Sequence, residues 1–185
     1  MASSGKRLLL GRSLGASSRC GAPPATSPKP PLARGVGRQT DVTPIASPLA
    51  NGHEPRLIDL PRIEDPRGNL TFIEAGRHTP FGVDRAFWIY DVPGGSMRGG
   101  HAYRSVHECI LALSGSFDVV LDDSSRRSRY TLNRSYHALL VPNLVWREMT
   151  NFSTNAVALV LASSPLAPDD YVHDYEEFLR LKRAK

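Results

Sequence analysis

From Arg56 onward, short apolar or alternating runs recur every eight to twelve residues or so, divided by clusters of Gly, Pro, Asn and Asp. That spacing predicts an all-β sandwich or barrel rather than a helical or α/β fold. Strands are expected near Arg56–Leu60, Asn69–Glu74, Arg85–Asp91, Met97–Tyr103, Glu108–Leu113, Ser116–Leu121, Arg129–Leu132, Ala138–Val141, Trp146–Asn151 and Ala156–Ala162. The breaks carry turn chemistry. Pro93-Gly94-Gly95 and Asp122-Asp123-Ser124-Ser125 offer the positive-φ and Asx-turn positions that hairpins use. After Pro165 the period changes. Tyr171, Val172, Tyr175, Phe178, Leu179 and Lys182 fall at helical spacing behind Asp169 and Asp170 as N-caps, predicting one closing helix over 168–183 whose aromatic stripe packs on the core. No internal repeat is present.

At 185 residues the chain holds one domain plus tails. Its formal charge of +5 would suggest an anionic polymer as partner, but the charge is not evenly spread. Residues 1–40 contain seven basic side chains (Lys6, Arg7, Arg12, Arg19, Lys29, Arg34, Arg38) and no acid, which leaves 16 basic and 18 acidic residues over 41–185. The domain is therefore not a nucleic-acid binder by charge. Residues 1–50 are Ser-, Ala-, Gly- and Pro-rich with little apolar surface, and are expected to be a disordered basic tail, or alternatively an organelle transit segment. The domain is placed at 51–185. No apolar run approaches a membrane span. Cys20 in the tail and Cys109 in an apolar strand are improbable disulfide partners, which points to a reducing compartment and a cytoplasmic location.

The chemistry concentrates between Gly95 and Asn151. Gly95, His101, Tyr103, Glu108 and Gly115 match the spacing of the first cupin motif, G-x5-H-x-H-x4-E-x6-G, with Tyr103 at the second histidine. His101 and Tyr103, two apart on a strand, share a face, and Glu108 rejoins that face only if the parity shifts between them. The second cupin motif, P-x-G-x2-H-x3-N, falls on Pro142 to Asn151, with Leu144 replacing glycine and Arg147 replacing the last metal histidine. A cationic guanidinium and a neutral phenol are poor substitutes for imidazole ligands, so no catalytic metal and no cofactor are expected. His107 should face away from Glu108, and His53, His78, His137 and His173 have no motif around them. Trp146 and Tyr90 read as barrel packing, and Arg126, Arg127 and Arg129 as a solvated face. The glycines from Gly94 to Gly100 lack the lysine and helix of a phosphate loop and read as a turn.

These blocks, together with Asp65-Pro66-Arg67-Gly68-Asn69-Leu70, Ile89-Tyr90-Asp91, Arg98-Gly99-Gly100-His101-Ala102-Tyr103-Arg104, Leu113-Ser114-Gly115-Ser116-Phe117, Val145-Trp146-Arg147-Glu148-Met149 and Asp169-Asp170-Tyr171, resemble the nucleotide-sugar 3,4-ketoisomerases. The resemblance implies a metal-free cupin, a double-stranded β-helix or jelly-roll barrel with one C-terminal helix. It implies an isomerase that interconverts a dTDP-4-keto-6-deoxyhexose and its 3-keto isomer through an enediol, in deoxysugar biosynthesis. Similar family members carry R-G-x-H-A-H-K, with the two histidines beside the sugar. Here those positions are His101 and Tyr103, the expected catalytic pair. Arg67, Arg85, Arg98, Arg104, Glu108 and Arg147 are the expected substrate-binding set, with arginines to grip the diphosphate. Because tyrosine replaces the second histidine, either Arg98, Arg104 and Arg147 favour a Tyr103 phenolate, or His101 is the base and Tyr103 the acid. A sugar-nucleotide 3,5-epimerase and a non-catalytic sugar-nucleotide-binding cupin are the alternatives. A homodimer is expected, with neither nucleic acid nor membrane as partner.

Overall fold

The computed structural model describes residues 54–184. The strands in chain order are β1 (Arg56–Asp59), β2 (Arg62–Ile63), β3 (Leu70–Thr71), β4 (Arg85–Ile89), β5 (Arg98–Tyr103), β6 (Glu108–Ser114), β7 (Phe117–Asp122), β8 (Arg127–Leu132), β9 (His137–Val141), β10 (Trp146–Thr150), β11 (Val157–Ala162) and β12 (Tyr171–Val172), followed by the helix α1 (Tyr175–Arg183). They form two five-stranded antiparallel sheets in the orders β1-β9-β6-β11-β4 and β12-β5-β10-β7-β8, with β2 and β3 as a separate two-stranded ribbon. This is the double-sheet jelly-roll arrangement of the expected all-β class.

The alternation of side chains decides where the core lies. Ile110, Leu139, Ala158 and Val160 of the first sheet and Phe117, Val119, Leu121, Leu132 and Met149 of the second form one buried cluster between the sheets. The opposite pleat of the first sheet carries Cys109, Leu111, Ala138, Leu140 and Leu161, covered by Ile73, Phe81 and Tyr136. Burial in this second layer pushes the Cys109 thiol up to about 12, so it stays protonated and inert. On the outside of the second sheet, α1 packs Phe178 onto Ala102, Trp146 and Val172.

Several elements differ from expectation. The ribbon strand β3 covers only two residues of the segment 69–74, and β2 breaks up the chain ahead of it. The closing helix is shorter than 168–183. Asp169 and Asp170 lie in a 3-10 turn, Tyr171 and Val172 pair with β5, and the helix N-cap is Asp174, whose carboxylate accepts from the Glu177 backbone N–H. Hydrogen bonding of Tyr171–Val172 to the free edge of β5 outweighs their helical spacing. Trp146 is buried beneath α1, against Tyr175 and Phe178, rather than inside the barrel. Tyr90 is 58% exposed and is not barrel packing. The expectation of a disordered tail over 1–50 lies outside the described residues.

Candidate active site

One end of the space between the sheets is apolar; the other gathers the polar groups. Along β6 the inward positions are Glu108, Ile110 and Ala112, so the pleat that fills the core also delivers a carboxylate. On β10 the inward positions are Arg147 and Met149. On β5 the register against β10 slips between Arg147 and Glu148: Arg147 opposes His101 while Glu148 opposes Gly99, so Gly100 is the extra residue of a bulge. Gly99 and Gly100 have φ of 86° and 75°, and a Cβ on Gly99 would lie 2.7 Å from the Arg147 carbonyl oxygen. The two glycines thereby aim His101 and Tyr103 inward. The second motif keeps its backbone without its glycine: Leu144 adopts φ 54° and donates its N–H to the Tyr103 carbonyl at 2.8 Å.

Arg147 and Glu108, 3% and 2% exposed, join the two sheets. Arg147 Nε lies 2.8 Å from Glu108 Oε2 in an ion pair that is not aligned as a hydrogen bond, while Nη2 donates to Oε1 at 3.3 Å. The same Nη2 lies 3.1 Å from His101 Nε2. A guanidinium has no acceptor, so Nε2 carries the lone pair and Nδ1 the proton, which serves a hydrogen bond to the Gly99 backbone. Burial first, then the positive fields of Arg147 and His173, pull the His101 imidazole down to about 3. His101 is therefore neutral at physiological pH. Tyr103 is pushed well above its ordinary range by burial, then by the Glu108 carboxylate. A phenolate at Tyr103 is therefore disfavoured.

The remaining expected binding residues divide. Arg85 is across β11 from Glu108: Ala162 opposes both, so the three share a face, with Arg85 and Glu108 two strand spacings, roughly 10 Å, apart. Arg85 Nε and Nη2 are buried without a hydrogen-bond partner among the described residues, and the guanidinium lies over Phe87 at 5.3 Å. Arg98 is exposed at the start of β5. Arg104 points outward and pairs with Glu177 of α1. Arg67 is fully solvated between β2 and β3, bound to Asp65 at 2.8 Å, and the structure does not bring it to the barrel mouth. His107 stacks on Phe81 on the outer side.

Two aromatic residues near the pair were not among the expected site residues. Tyr171 lies 4.6 Å from the Tyr103 ring and 5.0 Å from that of His101, and His173 lies 5.9 Å from His101. The donor set does not suit a metal ion, because the Arg147 cation holds the one carboxylate of the motif, and no group of three His, Cys, Asp or Glu side chains converges among the described residues. A cavity of about 430 Å³ on the outer face of the first sheet is lined by Leu111, Leu113, Leu159, Leu161 and Tyr136 but by no imidazole or carboxylate.

A jelly-roll barrel that brings a histidine, a tyrosine and a buried arginine together has the fold of a cupin. The family model FdtA: WxcM-like, C-terminal matches residues 53–183, and the chain belongs to this family of sugar-nucleotide 3,4-ketoisomerases. It is 36% identical over 125 residues to a TDP-4-oxo-6-deoxy-alpha-D-glucose-3,4-oxoisomerase of Aneurinibacillus thermoaerophilus, covering 68% of this chain and 90% of the relative. A 3,4-ketoisomerase of Thermoanaerobacterium thermosaccharolyticum, solved as a mutant in complex with TDP-4-keto-6-deoxyglucose, superposes with TM-score 0.69 at 30% identity over 71% of this chain and 95% of its own. A dTDP-4-dehydrorhamnose 3,5-epimerase of Bacillus anthracis has TM-score 0.59 at 16% identity over 71% of this chain and 86% of its own, a likeness of fold alone. Among the described residues no helix is long and apolar enough to cross a membrane.

Proposed function

We propose that this protein converts a TDP-linked 4-keto-6-deoxyhexose into its 3-keto isomer, with His101 as the group that moves the carbon-bound proton and Tyr103 as a hydrogen-bond donor to a sugar oxygen. The observation that carries this reading is the contact of neutral His101 with the buried Arg147–Glu108 pair. The isomerisation breaks C3–H, forms an enediol and makes C4–H. An imidazole whose Nε2 bears a lone pair can take that proton once the substrate draws it from Arg147, and the released guanidinium then faces the developing enediolate. A base held at about 3 is weak; the negative diphosphate of an arriving sugar nucleotide raises it by favouring the imidazolium.

Arg85 is the favoured diphosphate ligand, since burial without a partner leaves its fork ready for bidentate contact with phosphate oxygens. Arg98, exposed at the start of β5, is the second candidate. Arg104 and Arg67, already paired with Glu177 and Asp65, are assigned to structure instead. A homodimer is supported by the free edge of β4 with Trp88 and Tyr90 exposed beside it, and a reducing, cytoplasmic location by the unpaired Cys109. Incubating the full chain with TDP-4-keto-6-deoxyglucose and following the sugar by NMR tests the reading. Formation of the 3-keto isomer supports it; quantitative recovery of unchanged substrate rejects it.

A further inference from the structure

Isomerisation moves two kinds of proton. C3–H breaks and C4–H forms, while the O3 hydroxyl loses its proton and O4 gains one, with no net redox change. The His101/Tyr103 pair serves this poorly by itself. Both ring nitrogens of His101 are engaged, by Arg147 and by the Gly99 backbone, and Tyr103 is buried among Ala162, Val106 and Tyr171. A second acid–base side chain beside the pair is still required.

The strand β12 brings one there. Its antiparallel register sets Tyr171 against Tyr103 and Val172 against Ala102, so the next residue, His173, comes opposite His101. Val172 turns outward into the cluster beneath α1, and therefore Tyr171 and His173 take the same side of the ribbon as Tyr103 and His101. The ring contacts agree. His173 stacks on Tyr171 at 5.4 Å and 12°, and meets His101 edge to face at 5.9 Å. Asp174 caps α1 immediately afterwards, which anchors the chain just beyond His173. Among the described residues the other imidazoles are elsewhere: His78 accepts from the Glu74 N–H, His107 stacks on Phe81, and His137 lies beside Asp59. His173 is exposed and its ring makes no hydrogen bond among the described residues.

We propose that His173 is the second acid–base imidazole of this site, taking the proton from O3 of the sugar and returning it at O4, a role that Tyr103 cannot fill. This rests on the ketoisomerase reading. Within it, His101 moves the proton from C3 to C4, and at the end of the cycle both imidazoles regain their starting protonation.

The test uses the full-length protein with TDP-4-keto-6-deoxyglucose in D2O, comparing wild type, His173→Asn, His173→Gln and His173→Asn/Tyr103→His. Conversion to the 3-keto isomer is expected to fall about 10²-fold in both single variants. Deuterium should still wash into C3 of recovered substrate, because enediolate formation at His101 survives, and Tyr103→His should restore conversion to the His173→Asn background. Unreduced conversion in the single variants overturns the assignment, as does an equal loss of conversion and C3 exchange in variants of unchanged Tm. Wild type that neither converts nor exchanges overturns the ketoisomerase reading together with this one, whereas active wild type with active His173 variants overturns this one alone.

Discussion

Arg147 lies 2.8 Å from Glu108 across the two sheets, with both side chains almost fully buried, and its Nη2 reaches His101 at 3.1 Å. The pair occupies positions where the cupin motifs place metal ligands, and it converts them into a fixed positive charge beside an imidazole. Removing only the carboxylate strands that charge. Glu108→Gln should destabilise the protein by about 3–5 kcal/mol in urea unfolding, whereas replacing both residues with apolar side chains, Arg147→Met with Glu108→Leu, should recover most of the stability and no activity. Equal destabilisation in the single and double variants would contradict this.

His101→Asn should lower turnover by about 10²–10⁴-fold with little change in Tm, since the ring is partly exposed and contributes chemistry more than packing. Steady-state kinetics with the 4-keto sugar nucleotide check this. Full retained activity would remove His101 from the mechanism.

The same residue makes stability depend on pH. In the unfolded chain His101 takes up a proton near its ordinary value of about 6.5, but in the folded protein only near 3, so the unfolded state binds more protons between those limits. Stability should fall as pH drops through that window. His78, also lowered, chiefly by burial, acts in the same direction in wild type and variant alike. Urea midpoints at pH 7.5 and pH 5 should therefore drop further for wild type than for His101→Asn, and identical drops would refute the placement of His101.

The chain around Gly99 has no room for a side chain. Gly99→Ala puts a Cβ 2.7 Å from the Arg147 carbonyl at φ 86°, a conformation that alone costs an L-residue about 1–2 kcal/mol. Lower stability and lower turnover are expected together. Gly94→Ala, with nothing within 4 Å, should stay within about 0.5 kcal/mol of wild type by the same unfolding assay.

Much of this was legible in the sequence because strand alternation and motif spacing are both local. The period of two put His101 and Tyr103 on one face, and the motif spacing picked out Glu108 and Arg147. What local pattern could not supply was the company that β5 keeps. Tyr171 and His173 reach the site only through pairing with a strand some seventy residues earlier, and the helical spacing of Tyr171 with Tyr175 and Phe178 masked it. A signal was present: Asp174 with Glu177 three residues on is a helix-start pattern, which would have begun the helix at Tyr175 and left 171–173 free to alternate. Arg67 shows a local contact that the family block did not signal. A family block marked it, but its own Asp65 holds it in solvent.

The central claim is that the barrel mouth moves a proton between C3 and C4. Incubating the full chain with TDP-4-keto-6-deoxyglucose in D2O, and locating the deuterium by NMR, tests it most directly. The 3-keto isomer should form with C5 still carrying protium and any deuterium confined to C3 and C4. Deuterium at C5 would make the protein an epimerase, and tight binding with neither exchange nor product would make it a binding protein; either result contradicts the account.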